Sequence, residues 1–186
     1  LKRERQASED KMKKELHYLA TELVFMLERY AEGCFRVVTD DGQDDDAPQP
    51  ERKAVTNYPE LNLIDVSGDW RTLEPRLMYR IRELPVLQDE AHRAIAYAAE
   101  YSDPPWHKDY FRERQYQFTR LGINAVGRLC KATGMPETRL TGHDEWSAVS
   151  VFRKVWRRER ALRAAEATRN REWNQVVMIP DGMSNQ

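Results

Sequence analysis

The chain has 186 residues, 40% of them hydrophobic and 33% charged, with only 8 Gly and 9 Pro to interrupt regular structure. This is the composition of a helical protein large enough for one core. A formal net charge of −1 excludes a global attraction to nucleic acid or membrane, and no apolar run reaches the roughly 18 residues of a membrane span. Cys34 and Cys130 are too far apart in sequence to suggest a disulfide framework and fit a reduced, cytoplasmic compartment.

The first helix is expected to end near Val38. Leu16, Ala20, Leu23, Leu27, Tyr30, Cys34 and Val37 alternate by four and three, and Leu19, Val24, Met26 and Phe35 widen that seam beyond a two-stranded coil. Ser8, followed by Glu9 and Asp10, reads as its N-cap. From Thr39 to Glu51 there are Asp40, Asp41, Asp44, Asp45, Asp46 and Glu51 but no base, beside Gly42, Pro48 and Pro50. A solvated loop or disordered insertion is expected there. Tyr58 to Val66 reads as extended, with Leu61, Leu63 and Val66 tucked against helices. A short strand there would need a partner that the sequence does not supply.

Asp69 or Thr72 is expected to cap a helix through Leu73, Leu77, Ile81 and Leu84, and Pro85 to kink or end it. Helical spacing resumes from Val86 to Ser102 and stops at Asp103-Pro104-Pro105. The next helix is expected from Trp106 to Thr133, before Gly134 and Pro136. The last starts at Gly142-His143-Asp144, carries Trp146, Val149, Phe152, Val155, Trp156 and Leu162, and frays beyond Ala167. The prediction is an all-α antiparallel bundle of four to five helices, with a long acidic loop after the first. It is one domain over residues 1–179, with residues 39–68 as loop and extended segment and a tail at 180–186.

Several spellings of chemistry fail in context. Asp89-Glu90-Ala91-His92 matches a helicase box, but no phosphate-binding loop accompanies it. Gly122 and Gly127 are spaced like such a loop, yet Arg128 and Leu129 replace the required Lys and Ser/Thr. Glycines inside an apolar helix serve close packing instead. Asp89 and His92, with His107 or His143, could be drawn as a metal site, but the Glu-x-x-His pairs of helical carboxylate sites are absent. In the Asp run at 40–46, Gly42 comes before the acidic run rather than at the sixth position of a calcium loop closed by Glu at the twelfth. Cys34 and Cys130 sit among apolar positions, where thiols act as small hydrophobes. No catalytic residue, metal or cofactor is nominated.

Charge is concentrated in the last helix, where eight bases face two acids between Val151 and Arg171. Arg153, Lys154, Arg157 and Arg160 are the candidate anion- or nucleic-acid-binding residues, interleaved with Trp156. The competing reading is a polar face paired with acids elsewhere in the bundle.

The N-terminus is also basic and has no initiator Met. Together with Thr21 to Ala31, Cys34, Gly68-Asp69-Trp70-Arg71-Thr72-Leu73, Arg80-Ile81-Arg82-Glu83-Leu84-Pro85 and the aromatic stretch after Pro105, that start resembles a scattered group of uncharacterised bacterial proteins. These have one N-terminal membrane span and a helical cytoplasmic region. The resemblance implies a location, with a tether to the inner membrane through sequence upstream of Leu1, and no activity. The functional expectation is a non-enzymatic interaction or scaffold domain with a protein partner or self-association. One alternative is nucleic-acid binding through the last helix; another is an enzyme or metal protein with an unrecognised site.

Overall fold

The computed structural model describes residues 2–127, 134–142 and 145–177. It is 68% helical, and among the described residues four α-helices carry the core. They are α1 (Lys2–Val38), α2 (Pro75–Glu100), α3 (Lys108–Val126) and α4 (Ala148–Val177). Two short strands, β1 (Gln43–Asp44) and β2 (Arg52–Lys53), form an antiparallel pair. Helix α3 packs against α1, α2 and α4, and α1 also meets α4.

The buried face of α1 is Leu19, Ala20, Leu23, Val24, Leu27, Tyr30, Ala31, Cys34, Val37 and Val38. This is the three-and-four seam of the sequence, broadened to face several neighbours. The helix begins at Lys2, so Ser8 lies inside it rather than capping it. The Lys, Arg, Glu and Gln residues ahead of Ser8 are strong helix formers and carry the helix upstream. Residues 2–14 are exposed all round, an arm that outruns the core.

The acidic segment is exposed along most of its length and contributes β1 to the short hairpin. Its acids find bases just beyond Glu51: Arg52 Nε lies 3.1 Å from Asp44 Oδ1, and Lys53 Nζ 2.6 Å from Asp45 Oδ2. The Arg52 amide also donates to the Pro105 carbonyl at 2.9 Å, tying the hairpin to the connection before α3. Gly42 turns the chain with φ +77°, in the left-handed region that glycine enters freely, and a Cβ there would meet Arg52 Cγ at 2.9 Å. Tyr58, Leu61, Leu63 and Val66 pack against the core without forming a strand.

Asp69 caps only a short 3₁₀ turn, Trp70–Thr72. The cap of α2 is Glu74, whose carboxylate accepts from the Leu77 amide at 2.9 Å, with Pro75 in the first turn. Helix α2 runs unbroken through Pro85. That proline removes one backbone donor, but Ile81 and Leu84 before it and Ala91 and Ile95 after it are all buried and hold the helix to one core.

Helix α3 starts at Lys108, two residues later than expected, after His107 in a left-handed conformation. Its expected end at Thr133, with Cys130, lies outside the described residues, as do His143, Asp144 and the 180–186 tail. Helix α4 begins at Ala148 rather than near residue 142 and continues ten residues past Ala167, to Val177. Gly122 lies where α3 meets α4, and a Cβ there would overlap the Phe152 ring. Its glycine serves helix packing and not a phosphate loop.

Candidate functional site

Helix α4 divides its charges between two faces. On the inner face Ala148, Phe152, Val155 and Glu159 are buried. Glu159 sits on the apolar seam with its side chain 1% exposed, accepting from Arg112 Nε at 2.9 Å, with Arg158 Nε at 3.5 Å from its other oxygen. Arg112 reaches on to Glu166 at 2.8 Å. Arg163 donates to Glu113 at 2.6 Å, and its guanidinium lies 3.8 Å over the Tyr116 ring. Tyr116 in turn stacks on Trp156, with ring centroids 5.6 Å apart and planes within 7°. The hydrogen bond from Arg112 holds the Glu166 carboxyl below the usual carboxylate range, against the opposing effect of burial. These inner bases are therefore consumed by acids of α3 and α4 within the fold.

The outer face differs. Arg153, Arg157 and Arg160 follow one another at i, i+4 and i+7, with Lys154 at their edge, and all four are exposed. Among the described residues none of the four forms an ion pair. Arg160 lies 6.0 Å over the Trp156 ring. Farther along the helix Trp173 is also exposed. The four sequence-nominated residues thus share one solvent-facing stripe, while Arg158, itself exposed, and the half-buried Arg163 are engaged by Gln115, Glu159 and Glu113. The outer arrangement can hold anionic groups.

The other candidates are dispersed. His92, on α2, stacks on Tyr58 with ring centroids 5.0 Å apart, whereas His107 Nε2 lies 3.7 Å from the Glu51 carboxylate at the start of α3. His143 lies outside the described residues. Among the described residues no three His, Cys, Asp or Glu side chains converge as a metal site. Two clefts among the described residues, of about 800 and 820 Å³, have no histidine in their lining. Cys34 is buried against Tyr30 on the α1 seam, where burial pushes its thiol well above the ordinary range.

One polar site escaped the sequence reading. Arg114, 1% exposed, lies 3.0 Å from Asp40 Oδ2 and donates to the carbonyls of Thr56 at 2.7 Å and Val37 at 3.2 Å. Asp40 also accepts from the amides of Gly42, Val55 and Thr56 at 2.9, 3.0 and 2.8 Å. Burial pushes its carboxyl up, but those amides and the Arg114 guanidinium outweigh burial and hold it below the usual range. The pair clamps the segment after α1 onto α3. Its signal was in the sequence: Phe111, Arg114, Phe118, Leu121 and Ala125 alternate by three and four, so Arg114 occupies a core position and requires a carboxylate. Glu159 carries the same signature after Phe152 and Val155.

No helix among the described residues is long and apolar enough to cross a membrane. Compared with known proteins, the chain matches no family model, no curated protein and no solved structure.

Proposed function

We propose that the chain is a non-enzymatic helical interaction domain, an antiparallel bundle whose last helix docks the acidic surface of a protein partner. The observation that carries this reading is the division of charge on α4: the inner bases are satisfied within the fold, whereas Arg153, Lys154, Arg157 and Arg160 stand exposed and unpaired on one stripe. The antiparallel arrangement is supported by the pairing of α3 with α4, in which Phe152 meets Gly122 while Glu166 meets Arg112. A location in the cytoplasm beside the inner membrane belongs to the same proposal. The exposed α1 arm, with Lys2, Arg3, Arg5, Lys11, Lys13 and Lys14, supports contact with anionic headgroups.

A second reading, nucleic-acid binding by the same stripe, draws on Trp156 beneath Arg160 and the exposed Trp173. One experiment separates the two. Fluorescence anisotropy measures binding of a labelled poly-glutamate peptide and of a labelled single-stranded RNA, for the parent and for the variant combining Arg153→Glu, Lys154→Glu, Arg157→Glu and Arg160→Glu. Peptide binding that the variant loses supports the protein-partner reading. RNA binding that falls steeply with salt and disappears in the variant, without peptide binding, supports the second. Equal behaviour of parent and variant refutes both.

A further inference from the structure

Helix α2 turns a second unpartnered stripe outward, on a different face from the one just described. Tyr79, Val86 and Tyr97 are 65%, 55% and 67% exposed. With Glu83, Glu90 and Arg93 they recur at helical spacing on one side of the helix. Among the described residues neither Arg76, Glu83, Arg93 nor Glu100 has an ion-pair partner. The charges along this stripe are antisymmetric about its middle. Arg76 and Glu83 precede Gln88, and Glu100 and Arg93 follow it at the same distances, with Glu90 beside the centre.

That order selects one kind of partner. Laid antiparallel against a second α2 about a two-fold axis near Gln88, each residue faces the one at mirror distance from residue 88. Tyr79 then meets Tyr97 of the other copy, Glu83 meets Arg93, Arg76 meets Glu100, and Val86 meets Glu90 close to the axis. Every charged pair occurs twice, as two-fold symmetry requires. Parallel pairing would instead set Glu83 on Glu83, Arg93 on Arg93 and Arg76 on Arg76. We infer that the outward face of α2 is a self-complementary surface that binds a second copy of this chain in an antiparallel helix pair.

A 26-residue helix spans about 39 Å, so the contact is at the small end of specific interfaces. The dimer is expected to be weak, with a Kd on the order of tens of micromolar, and weaker in salt.

Sedimentation velocity over about 1 to 200 µM, a range bracketing that Kd, at low and high salt tests the inference on the full chain. The parent is expected to dimerise with rising concentration. Glu83→Arg or Arg93→Glu each turns two attractions into two repulsions and is expected to raise the Kd by about 10- to 100-fold. The combined Glu83→Arg/Arg93→Glu variant exchanges the charges and is expected to return the Kd to within about 3-fold of the parent. Because Glu83 is half-buried, the exposed pair Arg76→Glu and Glu100→Arg, singly and together, repeats the test at positions that leave the core untouched. A parent that stays monomeric throughout overturns the inference. So does a dimer indifferent to the single reversals, or double variants no tighter than the singles at both pairs.

Discussion

Replacing Asp40 with asparagine keeps the shape of the side chain but removes the charge that four donors converge on. In the parent, the amides of Gly42, Val55 and Thr56 and the Arg114 guanidinium lie 2.8 to 3.0 Å from its two oxygens. Asparagine retains one acceptor oxygen and aims an NH₂ at the remaining donors. Arg114 would keep only backbone carbonyls as partners in a site where it is 1% exposed. Removing one member of a buried pair costs about 3–5 kcal/mol, a large share of a domain's usual stability of about 5–15 kcal/mol.

Urea unfolding followed by circular dichroism at 222 nm measures that loss, and hydrogen exchange at the Val55 and Thr56 amides should accelerate with it. Asp40→Ala combined with Arg114→Leu should cost at least about 2 kcal/mol less than the sum of the single changes, because the double variant leaves no orphaned charge. The pH dependence follows from the lowered carboxyl of Asp40. Its contribution is complete above the unfolded-state value near 4 and disappears as pH falls through the lower folded-state value. The asparagine variant should therefore lose less stability than the parent on acidification below pH 4. A loss under about 1 kcal/mol for Asp40→Asn, or an unchanged acid profile, would refute the clamp.

Three further outcomes are expected. Gly122→Ala should destabilise by about 1–3 kcal/mol in thermal unfolding, since the added methyl has to displace the Phe152 ring, and adding Phe152→Leu should recover part of that loss. Glu159→Gln should cost about 3 kcal/mol in urea because Arg112 and Arg158 lose a buried counter-charge, whereas the four-fold reversal on the exposed stripe of α4 should leave the unfolding midpoint almost unchanged. Burial, and then the hydrogen bond with Tyr110, push the Tyr58 hydroxyl up to about 12 against the opposing pull of Arg114. A group raised in the folded state stabilises fully below its unfolded value and less above it, so stability should fall as pH rises from 10 towards 12. Tyr58→Phe should flatten that part of the curve.

Repeating apolar residues made the helices legible in advance. The seam of α1 from Ala20 to Val37, the buried positions of α2 and the Phe118–Ala125 face of α3 follow from spacing alone, because burial on one side of a 3.6-residue turn leaves that trace in any amphipathic helix. Helix starts were less legible. Glu74 rather than Asp69 caps α2, and Ser8 lies inside α1, since capping depends on which carboxylate or hydroxyl reaches a free amide and many side chains qualify. The basic character of α4 was visible in composition, but its division into satisfied and unsatisfied faces was not. That division depends on where Glu113 and Arg112 of α3 come to lie.

The clamp around Asp40 illustrates the limit most clearly. Sequence alone placed a carboxylate among five other acids and an arginine on an apolar seam 74 residues later. Only the packing of α3 against the end of α1 brought them together and selected one acid of the six to be buried. Local periodicity is written into neighbouring residues, whereas the pairing of charges is decided by chain segments that meet only after the core has formed.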